Sequence, residues 1–244
     1  MNRLALLALP FALVACDVGS VPPGGDGDDE PGVDAGPGID AAPVATLSAA
    51  VSPASASTAL GSDTSFTVTV TAQHYSGTVS LAATGGLTGW QVDITPATLD
   101  FTEGGSASAT VRVRIPSNGA AAPAGRPLAI AVTGGALSAS ATATMNVADE
   151  FTIDVGAGAA TGAHWGPMAG ANLRVRSGTR LHIRNNDSIN HQIHTGGGIG
   201  GFDHQGGPMG PGASYDVTPT STGADDFYCH IHGSGTGRVN LVVE

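Results

Sequence analysis

Runs in which apolar side chains alternate with polar or small ones constrain this chain more than any other feature. Such runs span residues 66–70, 78–81, 111–115 and 128–132, and Gly, Pro, Ser or Asn residues bound them. A period of two is typical of strands with one buried face. The 37 Gly and 15 Pro residues suit turns between short strands and disfavour long helices. The sequence therefore predicts an all-β fold.

The charge balance disfavours a nucleic-acid partner. The formal net charge is −11, all nine basic residues are Arg, and they form no basic patch. No uninterrupted apolar run reaches about 18 residues, the length that a membrane-spanning helix needs. We therefore expect no nucleic-acid partner and no membrane span in the mature chain.

The first residues have the organisation of an export signal. Arg3 precedes an apolar stretch over residues 4–14, and the small Ala15 precedes Cys16. The tetrad Leu13-Val14-Ala15-Cys16 resembles the bacterial lipobox, in which the Cys becomes the lipidated first residue of the mature chain. The resemblance implies a lipoprotein signal peptide over residues 1–15 and a lipid anchor on Cys16 in the bacterial cell envelope, periplasmic or on the outer surface. A plain secretory signal followed by an unmodified Cys is the alternative.

Residues 16–45 are predicted to be a disordered acidic linker that starts at the lipidated Cys. Positions 17–45 carry seven acidic residues and no basic one, and they are rich in Pro, Gly and Ala. Such a composition does not bury enough apolar area to offset the entropy of ordering. The segment would act as a spacer between the membrane anchor and the folded chain.

Residues 46–148 are predicted to form a β-sandwich of about seven strands. The spacing of strands and turns resembles bacterial immunoglobulin-like domains, although the Cys pair of antibody domains is absent. His74 is the one histidine of this region, and the neighbouring Ser76 and Gly77 place it in a solvated loop. Because residues suited to catalysis are few, we interpret this domain as a stalk or a protein-contact module.

Residues 149–244 contain the side chains suited to metal chemistry. Seven of the eight His residues lie here, together with the second of the two Cys residues, Cys229. Cys229 and His232 lie where a strand enters a Gly-rich turn, and His191 follows another strand about forty residues upstream. One thiolate and two imidazoles suit copper in both oxidation states, because soft sulfur favours Cu(I) and imidazole accepts Cu(II). A structural zinc site would more often recruit a fourth protein ligand.

Two segments carry a resemblance to a known family. Residues 186–193 read Asn-Asp-Ser-Ile-Asn-His-Gln-Ile, and residues 228–232 read Tyr-Cys-His-Ile-His. They resemble the motifs of cupredoxins, the type 1 (blue) copper proteins that include plastocyanin, pseudoazurin and amicyanin. The resemblance covers residues 149–244 and implies a Greek-key β-sandwich of about eight strands with one type 1 copper ion. By position it implies His191, Cys229 and His232 as the metal ligands.

One position departs from the family pattern. Many cupredoxins have Met three residues after the second His ligand, where this chain has Gly235. The site would then be three-coordinate, or take a backbone carbonyl or another Met as a weak axial ligand. Met168 and Met209 are the candidates, and Met168 lies in a loop that is near the copper in the family. Packing around the site is the alternative role of Met168.

The remaining histidines of this region have simpler interpretations. His182 alternates with inward-facing apolar residues and is expected on the surface, and His204 lies in a Gly-rich segment and is expected to be solvated. His194 lies three residues past His191, the first predicted ligand, so in a strand its side chain would point to the opposite face. His230 follows the predicted Cys ligand, a position that bridges to a second copper in multicopper oxidases. We expect neither His194 nor His230 to bind the copper.

The sequence predicts an electron carrier of the cell envelope rather than an enzyme. The family resemblance implies His232, near the surface, as the exit for electrons, and a c-type cytochrome is the candidate redox partner of the mildly acidic domain. Three alternatives stay open: copper sequestration or delivery, an oxidase or nitrite-reductase-like enzyme with a second copper site, and an adhesive lipoprotein with a degenerate copper domain.

Overall fold

The structure, a computed structural model, describes residues 42–85, 89–159, 165, 172–233 and 238–244. Those residues form sixteen β-strands and no helix, and residues Pro43–Glu244 form one compact unit. No helix able to cross a membrane is found within the described ranges. The predicted signal peptide, Cys16 and nearly all of the predicted linker lie outside the described residues.

Nine strands between residues 46 and 148 form two sheets, which we call the first sandwich. The strands are β1 (Thr46–Ser52), β2 (Ser55–Ala59), β3 (Asp63–Gln73), β4 (Gly77–Gly85), β5 (Gln91–Thr95), β6 (Thr98–Phe101), β7 (Gly104–Arg114), β8 (Ala122–Gly134) and β9 (Leu137–Ala148). One sheet has the order β1-β3-β7-β5 and the other β2-β9-β8-β4-β6. The period-two runs supply its core, as Val68, Val111 and Val132 are fully buried.

Seven further strands among the described residues form two more sheets, which we call the second sandwich. They are β10 (Glu150–Val155), β11 (Asn172–Val175), β12 (Arg180–Asn185), β13 (Ile193–Thr195), β14 (Ser214–Val217), β15 (Gly223–Cys229) and β16 (Val239–Val243). The sheet orders are β10-β12-β14 and β11-β16-β15-β13. The pairs β10–β12 and β11–β16 run parallel, and the other pairs run antiparallel. The predicted all-β fold class is confirmed.

The first sandwich has more strands than the sequence indicated. The expectation of about seven is wrong, since nine are present among its described residues. The short strands explain the difference: β5 and β6 have five and four residues and follow each other after a two-residue turn. A strand of that length offers about two inward positions, which is too few for a clear period of two.

Polar contacts join the two sandwiches at one edge. The Ser117 hydroxyl donates to the Arg174 carbonyl at 2.5 Å, and the Arg176 guanidinium donates to the Asn118 carbonyl at 2.9 Å. Glu244 accepts from the Asn118 amide at 3.1 Å and from the Arg174 guanidinium at 2.5 Å. The Glu244 carboxylate therefore links one sandwich to the other.

Replacing Glu244 with Gln is expected to weaken this link at neutral pH and not in acid. The hydrogen bond from Asn118 and the one from Arg174 lower the pKa of Glu244 below its ordinary value of 4.5. Because the native pKa is depressed, the stabilisation is present above about pH 4.5 and is lost as the pH falls through the native pKa. Thermal unfolding should give a lower midpoint for the variant at pH 7 and converging midpoints at about pH 3. An equal difference at both pH values would contradict a role for the charge.

Candidate metal centre

His191, Cys229 and His232 come together at one end of the second sandwich, and we call them the Cys–His cluster. Cys229 is the last residue of β15, and His232 lies in the turn that follows. The Gly233 amide donates to the Cys229 carbonyl at 3.0 Å, which closes this turn and brings His232 back beside the sulfur. The local chain therefore folds so that residues three apart both point to one place.

Backbone bonds to a neighbouring segment hold His191. Its amide donates to the Met209 carbonyl at 3.0 Å, and its carbonyl accepts from the Met209 amide at 2.6 Å. Asn185, at the end of β12, is buried and donates from its side chain to the carbonyls of Ile189 and Met209, each at 2.8 Å. The Asn185 side-chain oxygen accepts the Asp187 amide at 2.9 Å. These bonds fix the loop that presents both Asp187 and His191.

The donor atoms of the Cys–His cluster lie within 4.8 Å of one another. The Cys229 sulfur is 3.1 Å from Nδ1 of His232, and the rings of His191 and His232 have centroids 5.0 Å apart. His191 and Cys229 are 0% exposed, whereas His232 is partly exposed. The cluster therefore has two buried side chains and one that reaches the surface.

One nitrogen of His191 is buried without a partner. Its Nε2 lies 3.0 Å from Oδ2 of Asp187, while Nδ1 has no hydrogen-bond partner among the described residues. The hydrogen bond with His191 lowers the pKa of Asp187, so the carboxylate is ionised and the imidazole proton lies on Nε2. Nδ1 then keeps a free lone pair, and a buried polar atom left unpaired is costly. A metal ion bound with Cys229 and His232 would satisfy it.

Replacing Asp187 with Asn is expected to weaken metal binding by about 10–100-fold without unfolding the protein. The neutral amide no longer fixes the proton on Nε2, so Nδ1 of His191 is held less firmly in the form that binds metal. A competition titration against a chelator measures the change. Asp216→Asn is the matched control. The Asp216 carboxylate also contacts a histidine, since it lies 2.6 Å from Nδ1 of His182, but neither residue belongs to the Cys–His cluster. An Asp187→Asn affinity equal to that of the control would contradict the assignment.

A second group of histidines lies close together, and we call it the three-histidine cluster. It consists of His194, His204 and His230, whose donor nitrogens also lie within 4.8 Å of one another. His204 is exposed as expected, and His230 is exposed too, but the sequence interpretation treated the three residues separately and missed the cluster. A signal was present in part: Tyr228 and His230 share one face of their segment, and His194 pairs with Tyr228. The cluster could be recognised only from the pairing register of β13 and β15.

The other predicted positions have separate outcomes. Met168 and Gly235, which carry the axial-ligand hypotheses, and Cys16, the predicted lipidation site, lie outside the described residues. Met209 is buried and forms a backbone bridge with His191. His74 lies between strands, as predicted, with a positive φ of 50°.

Comparisons with known proteins give structural similarity alone. No family model and no curated protein matches the chain. A structure titled as a novel purple cupredoxin from Nitrosopumilus maritimus is 23% identical and aligns with 38% of this chain and 98% of its own, with a TM-score of 0.32. A Cu-containing nitrite reductase from Thermus scotoductus SA-01 is 12% identical over 69% of this chain, with a TM-score of 0.30. The match spans 55% of the nitrite reductase chain.

Immunoglobulin domains are also among the similar structures. The N-terminal four Ig domains of Dscam1 isoform 1.9 are 18% identical over 42% of this chain and 21% of their own, with a TM-score of 0.26. Similarity at these levels supports no conclusion about function.

Proposed function

We propose that this chain is an envelope-anchored type 1 copper protein that carries single electrons between redox partners and has no catalytic turnover of its own. One observation carries the proposal. His191, Cys229 and His232 place one sulfur and two imidazoles within 4.8 Å, and a buried nitrogen of His191 has no other described partner.

The donor set favours copper over other metals. A thiolate is a soft ligand and imidazole suits several transition metals, so one Cys with two His matches copper in both of its oxidation states. Copper bound there would supply one-electron chemistry by alternating between Cu(I) and Cu(II). A closed structural zinc site usually has four protein ligands. Among the described residues, no Asp, Glu or further His or Cys has a donor atom in the set that lies within 4.8 Å of one another. Asp187 contacts Nε2 of His191 but is not part of that set.

The surroundings hold the ligands in fixed positions. Phe227, two residues before Cys229 on β15, packs edge-on against Trp165 and Phe202, with ring centroids 5.7 and 5.5 Å apart. Trp165 also lies edge-on to the His191 ring at 6.3 Å. Cys229 ends a strand, and His191 packs against a buried aromatic ring, so both side chains should move little when the charge of the centre changes. Small rearrangement favours fast transfer of an electron.

His232 is the ligand that faces a partner in this proposal. It is partly exposed, whereas the other two ligands are fully buried. An electron would pass through the His232 ring to a protein docked over it, and a c-type cytochrome is the partner class that we propose. The lipid anchor on Cys16 would keep the chain at the envelope membrane, in the periplasm or on the outer surface.

Protein-film voltammetry of the copper-loaded protein tests the electron-carrier function. We expect a reversible one-electron wave, and rapid oxidation of a reduced c-type cytochrome mixed with the Cu(II) protein. Copper delivery is the second candidate, favoured by the exposed histidines of the three-histidine cluster. Fast loss of reduced copper to a soluble Cu(I) chelator, without a reversible wave, would overturn the electron-carrier proposal and support delivery.

Membrane fractionation tests the anchor. We expect the wild-type protein in the detergent-extracted membrane fraction and the Cys16→Ser variant in the soluble fraction, because acyl chains supply the attachment. Equal distribution of the two proteins would contradict lipidation of Cys16.

A further inference from the structure

We propose that His194, His204 and His230 form a second metal site, which faces solvent and binds a divalent transition-metal ion such as Cu²⁺ or Zn²⁺. The site is separate from the Cys–His cluster and shares no ligand with it. Imidazole nitrogens are ligands for both ions, and Cu²⁺ is expected to bind more tightly than Zn²⁺.

The distances match those around a single ion. Nδ1 of His230 is 3.1 Å from Nδ1 of His194 and 2.9 Å from Nε2 of His204. The rings lie at steep angles to one another, with centroids between 4.8 and 5.2 Å apart. Two nitrogens bound to one tetrahedral zinc ion at 2.0–2.1 Å lie about 3.3 Å apart. Two of the three nitrogen–nitrogen distances are therefore close to this value, and the third is no more than 4.8 Å.

Hydrogen bonding alone does not satisfy this arrangement. A neutral imidazole has one N–H donor and one acceptor nitrogen, and each acceptor nitrogen has one lone pair in the ring plane. Nδ1 of His230 faces nitrogens of both His194 and His204. If it accepts, two donors compete for one lone pair; if it donates, one hydrogen is divided between two acceptors. A cation at the point where the lone pairs converge removes the conflict.

Three separate segments hold the histidines in place. His194 is the middle residue of β13, and the His230 amide donates to the Gln192 carbonyl at 2.7 Å. His204 is fixed by its neighbour Gln205, which lies along the start of β13. The Gln205 amide donates to the Ile193 carbonyl at 3.0 Å, and its side-chain oxygen accepts the Ile193 amide at 2.9 Å. The ligands are therefore largely positioned before metal binds.

A neighbouring aromatic ring also holds the His194 side chain in position. The Tyr228 ring packs against His194 with centroids 4.7 Å apart, which limits the orientations of the imidazole. An imidazole held in one orientation is a suitable ligand.

Exposure gives this site a different character from the Cys–His cluster. His204 and His230 are exposed, so an ion with three protein ligands keeps a position open for water or a small ligand. His230 is joined by one peptide bond to Cys229. An ion on the second site is therefore expected to shift the absorption of a copper ion bound at Cys229.

Metal titration of the full chain with Cu²⁺ alone, followed by dialysis and metal analysis, tests the proposal. We expect two ions per wild-type chain and one per His204→Ala chain, with affinity at the second site weakened by at least about 100-fold. His204→Gln keeps a polar side chain and is also expected to bind one ion. The same result in both variants would show that the lost ion does not reflect unfolding of the Ala variant. His74→Asn is the matched control: it removes one exposed His that belongs to neither cluster, and Asn tolerates the positive φ there. It should keep two ions.

The outcome is independent of the proposed function. In a Cys229→Ser chain, one ion should remain, and it should be lost when His204→Ala is added. Wild-type protein that binds one ion and keeps it in the His204→Ala variant would overturn the second site. A single ion that His204→Ala removes, without any thiolate absorption in the wild type, would uphold this site and overturn the Cys–His copper centre.

Discussion

Replacing Cys229 with Ser is expected to remove the intense visible absorption of the copper-loaded protein and leave the second sandwich folded. The band arises from charge transfer between thiolate and Cu(II), and a serine hydroxyl does not supply it. The buried hydroxyl costs about 1–3 kcal/mol if it finds no partner. Visible absorption and circular dichroism, measured on the same sample, separate loss of the site from loss of the fold.

The sequence offers a matched control for that experiment. Cys16→Ser makes the same substitution at the other cysteine of the chain, outside the predicted copper domain. The control should keep the full visible band per bound copper. A Cys229→Ser protein that retained the band would show that another residue supplies the absorption.

The second large effect is expected from Phe227→Ala. Phe227 is 0% exposed and packs against Trp165 and Phe202 in the second sandwich. Removing a buried Phe ring typically costs about 3–5 kcal/mol, which is a large fraction of the stability of a small domain. Because Cys229 follows two residues later on the same strand, we also expect weaker copper binding. Denaturant unfolding followed by circular dichroism measures the loss of stability.

Phe101→Ala is the control that removes a buried aromatic ring from the other sandwich. Phe101 is also a buried aromatic residue, but it lies on β6 of the first sandwich, among strands that hold none of the clustered ligands. It should lower stability and leave the absorption per folded molecule unchanged. A Phe227→Ala loss below about 1 kcal/mol would contradict the role given to this ring.

The inward faces of the long strands were predictable from the sequence. In β3 the alternation of Phe66, Val68 and Val70 with Thr residues matches the buried and exposed sides of the strand. This success has a local cause, since successive side chains in a strand point to opposite faces. Pairing partners were not predictable in the same way, because nothing local to β3 specifies that it lies between β1 and β7.

The same distinction applies to the predicted metal ligands. Cys229 and His232 are three residues apart in one turn, so their approach depends on local folding and the motif indicated it. Asp187 was not identified, although it lies inside the first motif, because its contact with His191 depends on a loop held by the buried Asn185. That loop is held by hydrogen bonds between the Asn185 side chain and backbone groups, and the sequence pattern does not indicate them.

The three-histidine cluster depends on contacts that are distant in sequence. His204 reaches the others because Gln205 bonds to Ile193, and His230 does so because its amide bonds to Gln192. A histidine in a Gly-rich segment gives no indication of such neighbours. Its predicted exposure is compatible with the structure, whereas its position beside two other imidazoles required the tertiary fold.

X-ray absorption at the copper edge tests most directly whether Cys229 and the two histidines hold a copper ion. The sample is the His204→Ala variant loaded with one equivalent of copper, so that the three-histidine cluster does not contribute. We predict one short copper–sulfur distance and two copper–nitrogen distances from imidazole, and loss of the sulfur contribution in the His204→Ala, Cys229→Ser double variant. A spectrum fitted by nitrogen and oxygen ligands alone, with no sulfur, would contradict the copper centre at His191, Cys229 and His232.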